Sequence, residues 1–568
     1  MKAACNDVGD PGVRRWDVIV IGTGMGGATI GLALARAGLR VLFLEKGLRQ
    51  SSATLRGDFA ESYLAPTAVP GPGDTPLLAR AGRWSDDIDD RSHRPHRFVP
   101  FVGCGSGGSS ALFGAALERL HPADLEPRRF WNGTAGSTLP ARWPVRFEEL
   151  VPYYEDAERL FGLHGTHDPL RGDRAILGTP ETSLSPANLK LIAELASRGL
   201  HPYRLPLAHK DDPACVGCQG YLCAAGCKRD AGSVCLEPAL QHHRAELLDH
   251  CDVIRLEADH HAVTGVVCAW RERLLTLKAS LIVLAAGALA SPWLLLNSAS
   301  RHWPRGLANR SGLVGRNLMR HMVDLYAVGV PEACPQHNLK QIAFNDFYFD
   351  TEHGQKWGTV QSFGNLPPAR LLALGLEKEL RDKGRPVAAW LARLGRPVLR
   401  RVLDRMLADR LILASILEDL PYLDNRIELR SERDFFGRRR LALRYRLPEV
   451  ACERVGRFRR RLREVLKPLP VRLIEQADNN ERLAHVCGTC RFGHDPRTSV
   501  LDAGCRAHGL ANLYVVDASF FPSSGGTNPG LTIAANALRV ADLLLQRRRG
   551  VVKLLTRTQT LQLTGVVP

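Results

Sequence analysis

The sequence predicts an α/β fold in which one strand-helix-strand domain is interrupted by an α+β domain built on an antiparallel sheet. Three observations lead there. Trp16 to Ile21 (WDVIVI) passes directly into GTGMGGATIGLALARAG; Phe101 to Arg119 holds a second glycine-rich loop; and strand-then-helix patterns return at Leu281 and Leu513 after long stretches without them.

In the first motif, Gly22, Gly24 and Gly27 occupy the glycine positions of GxGxxG. Gly22 permits the tight turn, Gly24 lets a diphosphate approach the backbone, and Gly27 lets the helix pack closely on the strand. The helix start offers free N–H groups and a positive dipole end to phosphates. Gly38 is placed to end the helix, Leu39 to Leu44 reads as the second strand, and Glu45 closes it. An acid there accepts hydrogen bonds from ribose hydroxyls and repels a 2′-phosphate. Strand, helix, second strand and acid in register predict a Rossmann-like dinucleotide site.

The second loop, FVGCGSGGSSALFGAALER, contributes Gly105, Gly107, Gly108 and Ser109. Such an N–H-rich concavity cradles phosphate or the polar edge of a ring. Two loops of this kind suit a cofactor longer than NAD, bound in an extended form. Leu281 to Leu284 then reads as a buried strand, and Ala285, Ala286 and Gly287 are small enough for a cofactor to lie against the backbone.

Near the other end, His485 and Asn528 bracket a strand-like run, Leu513 to Val516, that ends in Asp517. That order can bring two polar side chains to one face of a bound ring. A neutral imidazole, with a reference pKa of about 6.5, accepts a proton at neutral pH, and Asn orients a hydroxyl without competing for that proton. Pro529 suits the first position of a helix whose positive end is available to the ring, with Thr532 in its first turn.

The glycine loops and returning strands assign 12–150, 236–321 and 481–548 to a discontinuous nucleotide-binding domain. Residues 151–235 and 322–480 then build the substrate side, with a probable sheet portion around NRIELRSERDFFGRRRLALRYRL, and 549–568 form a basic tail. At 568 residues two or three domains are expected, and 45% hydrophobic with 24% charged residues is ordinary globular material. The net charge of +17 is spread along the chain without a nucleic-acid module, so no nucleic-acid partner is expected. The densest basic stretch, Arg370 to Arg410, carries leucines, valines and alanines at helical spacing; it reads as a helical cap, with peripheral membrane contact the other reading. No uncharged apolar run of about 20 residues is present, so no transmembrane segment is expected. Fourteen cysteines without a secretion signal suggest a reducing compartment, with cytoplasmic as the default.

These motifs together resemble the glucose-methanol-choline (GMC) family of flavin oxidoreductases. The resemblance rests on DVIVIGTGMGGATIGLALARAG, GSGGSSALFG, AAGALASPWLLLNS, VGRNLMRH, and HVCGTCRFG with VVDASFFPSSGGTNPGLTIAANA. It implies an FAD held by the first and last motifs, the latter through Asp517, Ala518, Asn528, Pro529 and Thr532. His485 matches the family's catalytic His and Asn528 its second polar residue. By that match, His485 takes the hydroxyl proton of an alcohol while the carbon-bound hydride passes to flavin N5, and Asn528 hydrogen-bonds the same oxygen. The expected substrate is a small-molecule alcohol: a sugar, polyol, amino sugar or lipophilic alcohol. The electron acceptor stays open among quinone, cytochrome, a dye-like acceptor and O2, so an oxidase is the alternative to a dehydrogenase and a non-redox lyase the more distant one. Leu112 and Phe113 stand where many relatives carry Asn or His, so covalent flavin attachment through that loop is not expected.

One cluster stands apart. Cys215, Cys218, Cys223 and Cys227 follow CxxCx4Cx3C. Four thiolates so spaced can surround an iron–sulfur cluster, as in some GMC dehydrogenases; zinc and plain thiols or disulfides are the other readings. Cys487 and Cys490 read as packing residues.

Overall fold

The computed structural model describes residues 14–563 except 51–54, 56, 60–73, 93–94, 132–135, 181, 211, 213–214, 216, 331–338, 351–353, 383, 482 and 484. The last five residues of the basic tail therefore lie outside the described ones.

A seven-stranded sheet organises the nucleotide side. Its strands run in the order Glu246–Leu248, Val41–Leu44, Arg15–Ile21, Arg273–Leu284, Val263–Trp270 and Asp252–Ala258, with Leu513–Val515 also paired to Arg273–Leu284. The central strand Arg15–Ile21 is parallel to both neighbours, Val18 facing Val41 on one side and Leu281 on the other. Buried on both faces, these strands read as continuous apolar runs. The long strand Arg273–Leu284 changes role midway: Leu274 to Leu277 pair antiparallel, whereas Ile282 to Leu284 pair parallel with Leu513 to Val515. The sheet thereby gathers chain segments from the beginning, middle and end of the sequence at one edge, where the parallel strands all finish.

The expected helix follows as Met25–Arg36, and Gly38 sits just beyond it at φ +85°, which turns the Leu39 N–H back to the Leu34 carbonyl at 3.2 Å. The C-terminal helix Gly530–Leu563 packs on Met25–Arg36 and on Phe147–Phe161, and runs on into the stretch read as a basic tail.

The substrate side is a six-stranded antiparallel sheet ordered Val471–Ile474, Met322–Gly329, Arg410–Leu417, Gly358–Ser362, Ile342–Phe344 and Tyr203–Arg204. Its apolar face closes against helix Glu449–Leu466 through Phe458, Leu462 and Leu466. The basic stretch between Gly358–Ser362 and Arg410–Leu417 is three helices, Ala369–Asp382, Pro386–Leu394 and Arg396–Leu407. The predicted sheet portion is the hairpin Arg426–Arg433/Arg439–Arg444, but it pairs with Ile88–Asp90 in a separate four-stranded sheet. Segments assigned to different domains by their motifs thus share one sheet, a long-range pairing that no local pattern marks. No helix among the described residues is long and apolar enough to cross a membrane.

Candidate active site

The two glycine loops meet. A Cβ on Gly108 would lie 3.0 Å from the Cα of Gly24, while one on Gly24 would find no atom nearer than Gly108 Cα at 4.0 Å. The two loop backbones are therefore in close contact at this point, with the Gly24 side the less crowded of the two. Around it the glycines are obligatory: Gly22, at φ +97°, would set a Cβ 2.4 Å from the Ala285 carbonyl oxygen, and Gly27 would set one 2.1 Å from that of Gly22. Gly105 and Gly107 are also left-handed, at φ +127° and +81°. Helix Met25–Arg36 starts at Gly24 with no side-chain cap on its first-turn N–H groups, and the residues present fit a dinucleotide diphosphate.

Two acids lock the cradle. Glu45 accepts from Thr23 N and Oγ1 through one oxygen (3.0 and 2.7 Å), and from Gly47 N and Gly105 N through the other (both 3.0 Å). It therefore ties the first loop to the second, and a ribose hydroxyl would share or displace one of these donors. Asp517 accepts from Gly287 N (3.0 Å) and Ser291 Oγ (2.5 Å), and from Ser519 N (2.9 Å) and Oγ (2.5 Å). That joins the last strand to helix Gly287–Asn297. Burial pushes its carboxyl above the usual range. Ser109 Oγ accepts from Gly103 N (3.1 Å), which shapes the second loop. The Ala518 carbonyl accepts from Gly488 N (3.1 Å), holding the two C-terminal motifs together.

The last helix begins one position later than predicted, at Gly530, with Ile533 N bonded to the Pro529 carbonyl, so Pro529 caps the helix. Thr532 is fully buried and its hydroxyl meets Tyr154 Oη at 2.8 Å; only its backbone remains for a cofactor.

His485 and Asn528 are brought together. His485 Nε2 lies 3.5 Å from Asn528 Nδ2, and His485 holds a left-handed φ of +59°. Such strain in a non-glycine residue persists only where surroundings over-determine it. Two relays supply that determination, and neither was read from the sequence. On one side, His321 lies with its Nδ1 2.9 Å from His485 Nδ1 and its Nε2 3.0 Å from the Gly525 carbonyl. On the other, Gln361 Nε2 donates to Asn528 Oδ1 (2.7 Å) and to Glu118 Oε2 (2.8 Å). A carboxylate only accepts, so the Gln361 amide is oriented, and it turns the Asn528 Nδ2 toward His485. Glu118 also accepts from Tyr203 Oη (2.5 Å) and Thr527 Oγ1 (3.1 Å).

Burial drives both imidazoles toward the neutral form. His485 is held well below the ordinary histidine pKa by burial and then by His321 and Lys340, and His321 falls to about 4, chiefly by burial. Beneath the loop 524–527, fully buried Lys356 pairs with Asp124 and with Glu418 (3.0 Å), and Tyr348 Oη links Asp124 (2.6 Å) to Gly526 N (3.0 Å). This charge group fixes the loop that carries the Gly525 carbonyl.

The four cysteines lie near one another, with Cys223 interacting with Cys227 as well as with Cys218. Cys218 hydrogen-bonds Cys223 and Cys215 hydrogen-bonds Cys227, two pairs near the buried Lys228. Among the described residues, no group of three or more Cys, His, Asp or Glu is arranged to hold a metal ion. Cys487 and Cys490 are buried packing residues.

A glycine cradle for a diphosphate beside an oriented imidazole and amide defines a flavin-dependent oxidoreductase acting on CH–OH groups. The GMC oxidoreductase family models match residues 17–323 and 421–537, and the chain belongs to that family. It is 32% identical over 558 residues to 6'''-hydroxyparomomycin C oxidase of Streptomyces lividus, covering 94% of this chain and 92% of that one. It is 31% identical to paromamine 6'-oxidase of Streptomyces fradiae (93% and 91%) and 26% identical to 2-methyl-1,2-propanediol dehydrogenase of Mycolicibacterium austroafricanum (94% and 96%). Among solved structures, pyridoxine 4-oxidase from Mesorbium loti superposes with a TM-score of 0.59 at 21% identity, covering 93% of this chain and 99% of that one.

Proposed function

We propose that this enzyme oxidises the hydroxymethyl group of an amino sugar or related polyol to a carbonyl, with His485 as the base. The observation that carries this reading is the pairing of His485 Nε2 and Asn528 Nδ2, 3.5 Å apart and each fixed from behind by its own relay. An alcohol oxygen seated between them donates its proton to Nε2 and accepts from Asn528 Nδ2. The oxygen is thereby held while its proton leaves, which raises the hydride-donating power of the adjacent carbon. FAD, when bound in the cradle, supplies the hydride acceptor at N5. Neutral His485 is ready to accept a proton, and its burial favours passing that proton on to solvent after turnover.

The amino-sugar assignment is supported by the names of two relatives above 30% identity, a 6'''-hydroxyparomomycin C oxidase and a paromamine 6'-oxidase. Those names also favour O2 over a quinone or cytochrome as acceptor. The test is anaerobic mixing of the flavin-loaded enzyme with a panel of paromamine-type amino sugars, polyols, plain sugars and lipophilic alcohols, following loss of the oxidised flavin band. Amino sugars should bleach it fastest, and re-aeration should release hydrogen peroxide in equal amount. His485→Ala should slow the bleaching by about 10²-fold or more with flavin still bound. Unchanged reduction in that variant would remove His485 from the mechanism; a flavin that stays oxidised with every alcohol would favour a lyase.

A further inference from the structure

The second and third of the helices between Gly358–Ser362 and Arg410–Leu417 are amphipathic in the wrong sense for a cap. In Pro386–Leu394, the residues at i, i+3, i+4 and i+7 are Val387, Trp390, Leu391 and Leu394, and they are 69%, 58%, 56% and 62% exposed. The side turned inward carries Ala388, Ala389 and Ala392 instead. A helix of a water-facing surface places its apolar stripe against the core; this one presents it to solvent and packs on alanines. Arg396–Leu407 continues the pattern, with Val398 and Val402 at 62% and 45% exposure and no buried residue. Leu374 and Leu376 on the first helix add to the patch.

Among the described residues, the exposed charges on these helices are mostly positive. Arg370, Arg381, Arg385, Arg393, Arg400, Arg401 and Arg405 are exposed. Of the described acids in the helices, buried Glu377 is consumed inside, bonded to Arg381 (2.9 Å) and Arg396 (2.5 Å), where it clamps the first helix to the third. Asp404 is the only exposed one, and it pairs with Arg400 at 3.7 Å. Arg385, Arg393, Arg401 and Arg405 have no ion pair among the described residues.

We propose that this face docks the protein on an anionic lipid surface. Valine, leucine and tryptophan side chains enter the headgroup boundary while the interleaved arginines reach lipid phosphates from the same helix faces. Tryptophan belongs at such a boundary, with an apolar body and a polar N–H. A second copy of the chain is the poorer occupant, because two copies of this arginine-rimmed face repel each other. The helices grow from the strand Gly358–Ser362, which carries Gln361 of the active site, so docking sets the enzyme at the membrane in a fixed orientation.

The test is co-sedimentation of the flavin-loaded, full-length enzyme with vesicles of phosphatidylcholine alone or mixed with phosphatidylglycerol, at low and high salt. Binding to the mixed vesicles should exceed binding to pure phosphatidylcholine by at least about tenfold and weaken with salt. Arg393→Glu/Arg401→Glu/Arg405→Glu should lower it by about two orders of magnitude, and Trp390→Ser/Leu391→Ser/Leu394→Ser by a comparable factor. Both variants change exposed residues only, and should keep wild-type flavin content and turnover of a water-soluble alcohol. No binding to the mixed vesicles, or equal binding by wild type and both variants, would overturn the proposal. So would a concentration-dependent dimer, seen by analytical ultracentrifugation without lipid, that both variants abolish.

Discussion

His321 and His485 face each other through their Nδ1 atoms at 2.9 Å, and a single proton arrangement satisfies both rings. The Gly525 carbonyl 3.0 Å from His321 Nε2 can only accept, so Nε2 of neutral His321 carries the proton and its Nδ1 is a bare acceptor. His485 must then donate from Nδ1, which leaves its Nε2 lone pair free, the atom that faces Asn528. A backbone carbonyl thereby sets the tautomer of the proposed base one residue removed.

Removing that setting should impair catalysis without removing the base. His321→Phe leaves His485 Nδ1–H without an acceptor and frees the ring to adopt the other tautomer, so flavin reduction should slow by about 10- to 100-fold with little change in KM for the alcohol. His321→Gln can accept from His485 and donate to Gly525, and should recover most of the rate. Stopped-flow reduction of both variants checks this. Equal rates for His321→Phe and wild type would show that His485 is oriented by other contacts.

The pH dependence follows from the same two rings. Both have pKa values depressed in the folded protein, so reduction of the flavin should be independent of pH through the neutral range and fall only well below pH 6.5. Stability has the matching sign. Once pH drops below about 6.5 the unfolded chain protonates a histidine that the folded protein keeps neutral down to about 4, so stability is lost across that window and levels off below it. For His321 the loss amounts to about 3 kcal/mol. Thermal melts of wild type between pH 7 and 4, compared with His321→Gln, should show a shallower slope in the variant.

What the sequence made legible was local. The glycines of GxGxxG, the turn at Gly38 and the strand ending in Asp517 are set by neighbours in the chain, and each falls where its pattern places it. His485 and Asn528 were legible because each sits in its own motif. Their supports were not: His321 is 164 positions from His485 and Gln361 is 167 from Asn528, and the contacts exist only because the antiparallel sheet brings Gly358–Ser362 and the end of VGRNLMRH, just before Met322–Gly329, beneath the last motif. Glu45 and Asp517 show the opposite limit. Their positions were legible, but the donors from the second loop and from helix Gly287–Asn297 that occupy their oxygens were not.

The cradle separates two glycines by what a methyl group would meet. Gly22→Ala combines φ +97° with a contact of 2.4 Å to the Ala285 carbonyl, so the protein should lose at least about 2 kcal/mol of stability or fail to fold. Gly24 has φ −72°, which alanine accepts, and its methyl would meet only the Gly108 Cα, at 4.0 Å. Gly24→Ala should therefore keep the melting temperature of the flavin-free protein within about 2 °C while weakening FAD binding by about tenfold or more. Calorimetry of the flavin-free protein and fluorescence titration with FAD measure the two effects separately. A flavin affinity unchanged in Gly24→Ala would mean that the diphosphate does not lie against the Gly24 backbone.

The cysteine pairs make a prediction that also bears on metal. Cys223 accepts from Cys218 and from the backbone N–H groups of Lys228 and Cys227, which brings its pKa down to about 5, whereas Cys218 is pushed up. The pair then shares one proton at neutral pH, with Cys223 the more acidic partner. Cys223 should then be alkylated by iodoacetamide first, at a rate nearly constant from about pH 6 to 8, with Cys218 and buried Cys235 reacting slowly. Peptide mass spectrometry after brief labelling resolves the order. Protein purified without oxygen offers the contrast: an iron–sulfur cluster or zinc held by Cys215, Cys218, Cys223 and Cys227 would protect all four equally until a chelator removed it, and bound iron or zinc would appear in elemental analysis. Selective labelling of Cys223 before any chelator is added, with no bound metal, identifies the cluster as a dithiol pair set.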